Sequence, residues 1–326
     1  MTRARLKRGG ALLLLPLSVL PFVLIGPAMV DSHRQFERDK EAHALPTPRL
    51  AISPAERARW KPLPRFNGAV PVIAYEGVGE DGSRSVTHLQ LARQLALLDA
   101  LGYDAISIRQ YSRWRRGEPA GMPQRPVLIT FDGGRLSSFR TADRLLQRYG
   151  FRATIFVPTA RISERDRALL TWKELHGMER SGRWDVQAEG TRGDERVVIG
   201  PDGAMGPAYA FRRYTESDGA ETFAAWQARV TREVFDARED LLAHGFEPLA
   251  LSVPGGDYGR LASNDGHIAP QVRDLITTQF GVGFVRAPRN YPAYTKPAGD
   301  PARFDLGRTT TADDLYGWLR AKDPAR

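Results

Sequence analysis

The chain has 326 residues, of which 42% are hydrophobic, enough for one large domain or two small ones with a buried core. It contains no cysteine, which excludes disulfides and thiolate metal sites. The formal net charge is +9, but part of it lies in the first eight residues. This balance leaves an anionic glycan or lipid surface open and does not favour nucleic acid as the partner of an exported chain.

The N-terminal segment predicts a membrane anchor. The basic stretch MTRARLKR precedes GGALLLLPLSVLPFVLIGPAMV, which carries no charge before Asp31. An uncharged run of about twenty residues can cross a bilayer as a helix, and the basic flank predicts a cytoplasmic N-terminus. A cleaved signal peptide is the alternative, although Pro27 to Val30 fits a small-x-small cleavage site poorly. Either interpretation predicts export, and we expect residues 1–30 to anchor an extracytoplasmic protein in the membrane.

The next segment predicts a linker. Residues 31–65 mix charged side chains with several prolines, a composition typical of a stalk between a membrane and a folded domain. We therefore expect the folded domain to span residues 66–326.

From residue 66 onward, strand-like apolar runs alternate with helical patterns. The predicted strands are AVPVIAY (69–75), DAISI (104–108), PVLITF (126–131), ATIFV (153–157), WDVQA (184–188), PLALSV (248–253), GVGFVR (281–286) and FDLGR (304–308). Strands that alternate with helices of about ten or more residues predict βα units around a parallel sheet. About seven such units predict an α/β fold, a (β/α) barrel that is distorted or incomplete.

One segment interrupts the alternation. Residues 191–220 contain a Pro-Asp-Gly turn between apolar runs, which predicts a hairpin or an ordered loop. Because this insertion follows a predicted strand end, we expect it to overhang the mouth of the barrel.

Acidic residues follow four of the predicted strands. Asp132, Glu76 and Glu189 come directly after a strand, and Asp257 follows another after a short interval. In a (β/α) barrel the catalytic groups lie at the carboxyl ends of the strands. These four acids are therefore candidate site residues. For Asp132, followed by Gly133 and Gly134, tight-turn chemistry is the competing interpretation.

The order of these motifs resembles that of the polysaccharide deacetylase family (the NodB-homology domain), especially the branch acting on poly-N-acetylglucosamine. PVIAYEGV is similar to the family's opening strand, VLITFDGG to its Thr-Phe-Asp-Asp-Gly signature, and LSVPGGDYGR to its later Pro-Tyr-Gly-type loop. YGFRATIFVPT and LTWKELHGMERSGRWDVQ resemble the units between them. The resemblance extends from Val70 to about Leu319.

The resemblance implies a chemistry. Family members hold a divalent, zinc-like metal with one Asp and two His, and this metal polarises a water and the acetamide carbonyl. A neighbouring Asp accepts the proton of the water and a late His protonates the leaving amine. The implied partners are an amino-sugar polysaccharide and components of an exopolysaccharide synthase, whereas the membrane is the partner that the N-terminal segment predicts.

Several matching positions depart from the family pattern. Asp132 matches the base, but Gly133 stands where the family has its second Asp, a metal ligand. Glu189 and Asp194 occupy the region of the two His ligands, and Glu76 replaces the usual His after the first strand. None of the six histidines (His33, His43, His88, His176, His244 and His267) stands at a motif position. An intact Asp-His-His site is therefore not expected.

Two interpretations stay open. In the first, the chain keeps the barrel and a glycan groove but is catalytically impaired, with Asp132 bonding to sugar. In the second, Asp132, Glu189 and Asp194 form an all-carboxylate site of an active hydrolase or deacetylase, since carboxylates suit hard metals or can pair as acid and base.

Further residues are candidates for substrate binding. Glu76 and Asp257 offer carboxylates, whereas Tyr258 and Trp184 offer rings that could stack on sugars. The competing interpretation of both aromatic residues is a place in the core.

Overall fold

The computed structural model describes residues 50, 52–61, 63, 68–79, 84–118, 121–162, 166, 168–286, 294–295 and 301–321. The predicted anchor at residues 1–30 and most of the predicted stalk at 31–65 lie outside the described residues. Within the described ranges, no helix has both the length and the apolar character that crossing a bilayer requires.

Helices and strands alternate along the chain. In chain order they are α1 (Pro54–Arg59), β1 (Val70–Tyr75), α2 (His88–Ala100), β2 (Asp104–Ala105), α3 (Ile108–Arg115), β3 (Pro126–Phe131), α4 (Leu136–Tyr149), β4 (Ala153–Val157), α5 (Trp172–Arg180), β5 (Trp184–Ala188), β6 (Arg196–Val198), β7 (Met205–Pro207), β8 (Tyr214–Thr215), β9 (Gly219–Ala220), α6 (Phe223–Ala243), β10 (Leu251–Ser252), α7 (Ile268–Phe280), β11 (Gly283–Arg286), β12 (Tyr294–Thr295), β13 (Ala302–Leu306) and α8 (Ala312–Ala321). Short 3-10 helices at Thr159–Arg161 and Pro254–Gly256 follow β4 and β10.

Seven parallel strands of the described chain close into a barrel, in the order β1, β3, β4, β5, β10, β11 and β13. The barrel closes because β1 pairs in parallel with both β3 and β13. The strand β2 extends the sheet from β3, and β12 lies antiparallel to β1. The predicted (β/α) barrel is thus confirmed.

The apolar strands explain the barrel, because a strand covered by side chains inside and helices outside is buried on both faces. Every residue of β1, β3 and β4 is buried. The barrel therefore places the carboxyl ends of its strands at one face, where the loops before the helices gather.

Two predicted strands are shorter than expected. DAISI forms a strand only at Asp104–Ala105, because Ser107 caps α3 and accepts the N–H of Gln110 at 3.0 Å. PLALSV is a strand only at Leu251–Ser252, since the side chain of Gln187 accepts the preceding N–H groups of Leu249 and Ala250, both at 2.8 Å.

The insertion at residues 191–220 forms two antiparallel ribbons, β6 with β7 and β8 with β9. Arg229 of α6 supports it by donating to the carbonyl oxygens of Ala208 and Phe211, at 2.9 and 3.1 Å. Pro207 lies so close to Gly255 that a Cβ there would be 3.0 Å from the proline ring. The insertion therefore contacts the loop after β10 at the mouth of the barrel.

The end of the segment predicted as a stalk contacts the barrel. Trp60 and Leu63 are buried, and the Trp60 indole donates to Asp313 at 2.9 Å. Both side chains are large and apolar, so burying them in the hydrophobic core is favourable.

Candidate functional site

A cavity of about 510 Å³ opens at the carboxyl ends of the barrel strands. Among the described residues, it is lined by five acids and five arginines: Glu76, Asp132, Asp166, Glu189, Asp194, Arg84, Arg135, Arg161, Arg286 and Arg303. The barrel thus brings together four of the predicted site residues, Asp132, Glu189, Asp194 and Glu76. We refer to this space as the mouth cavity.

Asp132 lies at the floor of the mouth cavity and is held by Arg303 of β13. The Arg303 guanidinium donates from Nη1 to Oδ1 at 2.7 Å and from Nη2 to Oδ2 at 2.6 Å. Both residues are buried, with 8% of Asp132 and 3% of Arg303 exposed. Such a bidentate, charge-assisted pair fixes both carboxylate oxygens toward one partner. Asp132 is therefore held in a fixed position by the opposite charge of Arg303.

Further contacts hold Arg303 in place. Its Nη2 also donates to the hydroxyl of Ser252 at 2.9 Å, and its guanidinium lies 5.5 Å from the Phe156 ring centre. Burial acts to lower the pKa of Arg303, but the attraction and hydrogen bonds of Asp132, together with the charges of Asp305 and Glu189, raise it. Sequence analysis did not identify this arginine. No local sequence pattern indicates it, because its burial and its partner are visible only in the folded barrel.

The two glycines after Asp132 have geometric roles. Gly133 and Gly134 have φ of 83° and 60°, in the region that favours glycine. A Cβ on Gly134 would lie 3.1 Å from a methyl carbon of Val157. The N–H of Gly133 donates to Oε2 of Glu189 at 2.8 Å, so the turn also orients a carboxyl group of the cavity. The glycine turn after Asp132 is therefore both a tight turn and a part of the candidate site.

Glu189 is a buried acid close to other acids. Only 5% of it is exposed. Burial, followed by repulsion from Asp132 and Asp194, raises the pKa of its carboxyl well above the usual value, although Arg303 acts in the opposite direction. A carboxyl in this environment holds its proton to higher pH than an exposed glutamate.

Ion pairs occupy the upper part of the mouth cavity. Arg286 contacts both Glu76 and Asp305, and Arg84 donates to Glu76 at 3.1 Å. Burial raises the pKa of Glu76 despite these two arginines. Asp194 accepts the N–H of Gly255 at 2.7 Å. Glu76 and Asp194 are thus already engaged by protein donors.

The residues present do not fit the metal that the fold family implies. Gly133 has no side chain to offer, and both oxygens of Asp132 are directed at Arg303. Within the described ranges, no three His, Cys, Asp or Glu side chains are grouped so as to hold a metal ion. Glu189 and Asp194, the two candidate metal ligands, therefore lack a third ligand among the described residues.

The other predicted substrate-binding residues lie elsewhere in the part of the barrel that the structure describes. Asp257 caps its own loop by accepting the N–H groups of Arg260, Leu261 and Ala262 at 3.0 to 3.2 Å. Tyr258 is buried in the hydrophobic core. Trp184 is also buried, at the amino end of β5, where its indole donates to Asp143.

The described histidines are remote from the mouth cavity lining. His176 and His244 stack on the aromatic rings of Phe246 and Trp172, with ring centres 4.6 and 3.8 Å apart. His267 is exposed and pairs with Asp265 at 2.9 Å. His88 lies at the start of α2. None of these four imidazoles lines the mouth cavity.

A comparison with family models matches residues 120–261 to the polysaccharide deacetylase model. This range includes Asp132, Glu189 and Asp194. No curated protein matches the chain significantly.

Solved structures with the same fold are deacetylases or related proteins. The chain is similar to a de-N-acetylase from Aggregatibacter actinomycetemcomitans, with a TM-score of 0.65 and 16% identity over 76% of this chain and 99% of that one. It is also similar to the BpsB deacetylase domain from Bordetella bronchiseptica, with a TM-score of 0.59 and 20% identity over 76% and 98%. IcaB from Ammonifex degensii gives a TM-score of 0.56 and 18% identity over 78% and 98%. At these identities the likeness establishes the fold.

Proposed function

Because this chain carries a domain of the polysaccharide deacetylase family, we propose that its mouth cavity binds an amino-sugar polysaccharide and that metal-dependent deacetylation is impaired. The observation that carries the proposal is the buried Arg303–Asp132 pair beside Gly133. It leaves the cavity polar and open, but it engages the carboxylate that matches the base, and Gly133 offers no carboxylate at the position of a metal ligand.

The chemistry of amide hydrolysis supports the proposal. A general base must have a free lone pair directed at the attacking water. Both oxygens of Asp132 accept from the Arg303 guanidinium, so only the remaining lone pairs of the carboxylate are open to a water. The remaining carboxyl groups and arginines are suited to hydrogen bonds with sugar hydroxyl and acetamide groups.

The proposal is tested on the full chain in detergent with N-acetylglucosamine oligomers. Binding is measured by calorimetry with and without EDTA, and acetate release is measured with added Zn, Co, Mn or Mg. We expect binding that survives EDTA and no acetate release. Acetate release that depends on a metal would refute the impairment, whereas absence of binding by folded protein would refute the cavity as a glycan site.

One observation favours an alternative, an active carbohydrate hydrolase or deacetylase that uses Asp132, Glu189 and Asp194. The raised pKa of Glu189 would let it keep its proton to higher pH than an exposed glutamate, as suits a general acid. Under this alternative, oligomer cleavage or acetate release occurs without metal and is lost in Glu189→Gln. The control Asp202→Asn, an exposed turn residue, should keep full activity.

The location of the protein is a further part of the proposal. The uncharged run within residues 1–30 and its basic flank support a membrane-anchored, extracytoplasmic protein that meets exopolysaccharide synthase components. Fractionation of cells that express the full chain, combined with protease added outside, tests this placement. Recovery in the soluble cytoplasmic fraction would refute it.

A further inference from the structure

Two arginines of the mouth cavity lack an acidic partner among the described residues. Arg84, Arg286 and Arg303 each contact at least one carboxylate. Arg135 and Arg161 line the same cavity, and their side chains make no ion pair or hydrogen bond with the described part of the chain. The two positive charges are therefore available to a ligand.

Arg135 extends across the mouth of the barrel. A Cβ on Gly133 would lie 3.9 Å from Cγ and Nε of Arg135, and a Cβ on Gly77 would lie 3.9 Å from its Cδ. Gly77 and Gly133 follow β1 and β3, so the arginine side chain passes over the ends of two neighbouring strands. This path places its positive charge beside the turn that carries Asp132.

Arg161 reaches the cavity from the next strand. It ends the 3-10 helix Thr159–Arg161 after β4. The loop after β5 fixes this short helix, because the N–H groups of Thr159 and Ala160 donate to the carbonyl oxygens of Gly190 and Thr191 at 3.1 and 3.0 Å. Arg161 therefore projects from a well-supported backbone.

Asp166 and Glu189, two further acids of the cavity, make no ion pair with Arg135 or Arg161 and accept backbone N–H groups instead. Asp166 accepts the N–H of Ala168 in its own loop at 3.0 Å. Glu189 accepts the N–H of Gly133, and its burial favours the uncharged form. Arg135 and Arg161 are therefore the two arginines of the lining that have no carboxylate partner in the described part of the chain.

The arginines of the insertion differ from this pair. Arg192 and Arg213 contact Glu195 at 3.3 and 3.4 Å, and Arg212 contacts Asp265 at 3.0 Å. Each of these three arginines thus has an acidic partner, although Arg192 and Arg213 share Glu195.

Other described arginines, such as Arg144 and Arg180, also lack an acidic partner, but Arg135 and Arg161 line the same cavity and face the same ligand space. Two such charges in one cavity favour an anionic ligand group.

We propose that the polysaccharide bound in the mouth cavity is anionic, carrying a carboxylate or a similar acidic substituent that Arg135 and Arg161 bind. This inference rests on the proposed function, since it names the substrate class of the same site. Guanidinium groups match carboxylates in geometry and form charge-assisted hydrogen bonds with them. An N-acetyl amino sugar next to an acidic sugar would place its acetamide near Asp132 and its acid near the two arginines.

The test uses three hexasaccharides with the full chain in detergent. The first alternates glucuronate with N-acetylglucosamine, the second is its carboxyl-reduced and neutral form, and the third is the N-acetylglucosamine hexamer. Calorimetry compares the parent protein, the double variant Arg135→Gln/Arg161→Gln, and the matched control Arg144→Gln/Arg180→Gln. The control arginines are exposed on α4 and α5 and lie outside the cavity lining. Their substitution removes the same amount of charge as the cavity double variant.

We expect the parent and the control to bind the carboxylated hexasaccharide about tenfold or more tightly than its reduced form, and the cavity double variant to bind both equally. A sulfated hexasaccharide that binds as tightly as the carboxylated one identifies the acidic group in general as the determinant and supports the proposal. If the parent binds the charged and neutral forms with equal affinity, or if the control variant loses as much affinity as the cavity variant, the proposal of an anionic polysaccharide is refuted. The proposal of a glycan site is not affected by either result. Failure of all hexasaccharides to bind folded protein overturns both proposals.

Discussion

Arg303 and Asp132 form a buried bidentate ion pair across the barrel, from the thirteenth strand to the end of the third, with N–O distances of 2.7 and 2.6 Å. They are separated by 171 positions in the chain, so only closure of the barrel brings them together. The pair places a guanidinium beside the aspartate that follows β3 at the mouth of the barrel. Its consequences for stability can be measured directly.

Asp132→Asn should destabilise the protein by about 3–5 kcal/mol, because the variant leaves the Arg303 charge buried without its counter-ion. Urea unfolding followed by circular dichroism measures the free energy of unfolding. This cost also means that loss of binding in Asp132→Asn must be judged on protein that is shown to be folded.

The double-mutant cycle with Arg303→Met provides the control. The double variant Asp132→Asn/Arg303→Met should cost about 2 kcal/mol or more less than the sum of the single variants, since neither charge is left unpaired. Additive costs would contradict a direct interaction between the two side chains.

Glu189 predicts a pH dependence of stability with a defined sign. Its folded-state pKa is raised above the usual 4.5, so the folded protein binds the proton more tightly than the unfolded chain. The stability that this carboxyl contributes is fully present below pH 4.5 and is lost as the pH rises through the raised folded pKa. Glu189→Gln should flatten this part of the profile and raise the free energy of unfolding by about 1 kcal/mol or more at pH 8.

The measurement is chemical unfolding between pH 4 and 8 for parent, Glu189→Gln and the control Glu216→Gln, an exposed acid of the insertion. Glutamine can still accept the N–H of Gly133, so the variant changes the charge and keeps the hydrogen bond. If Glu189→Gln were less stable than the parent at pH 8, the buried carboxylate would be charged and stabilised by Arg303.

Gly133 and Gly134 predict a difference between two similar substitutions. Both have positive φ, so alanine at either position should cost about 1 kcal/mol in backbone strain. Gly134→Ala should cost about 1–3 kcal/mol more, because its methyl group would lie 3.1 Å from Val157, whereas the nearest atoms to a Cβ on Gly133 lie at 3.9 Å. Thermal unfolding of the two variants compares them directly. Equal stability would show that Val157 can move at little cost.

Sequence patterns were sufficient for the architecture and for part of the candidate site. Alternating apolar strands and helices predict the barrel, and the position after β3 places Asp132 at its mouth. The partner Arg303 was missed, because pairing between residues 171 positions apart leaves no local pattern. Asp257 was predicted as a site residue because it follows a strand. Its carboxylate instead accepts three backbone N–H groups of its own loop, and a position after a strand cannot distinguish these two roles.

The donor set of the mouth cavity predicts that divalent metals do not stabilise this protein. A ligand that binds only the folded state at about a hundred times its dissociation constant adds about 2.7 kcal/mol to the free energy of unfolding. Asp132 is engaged by Arg303, and Asp194 accepts the N–H of Gly255 at 2.7 Å, so a metal would have to displace existing contacts. We expect a change of less than about 0.5 kcal/mol on adding Zn, Mn or Mg or on removing metal with EDTA. A metal-dependent gain that disappears in Glu189→Gln and Asp194→Asn, but not in Asp202→Asn, would instead assign a carboxylate metal site to this cavity.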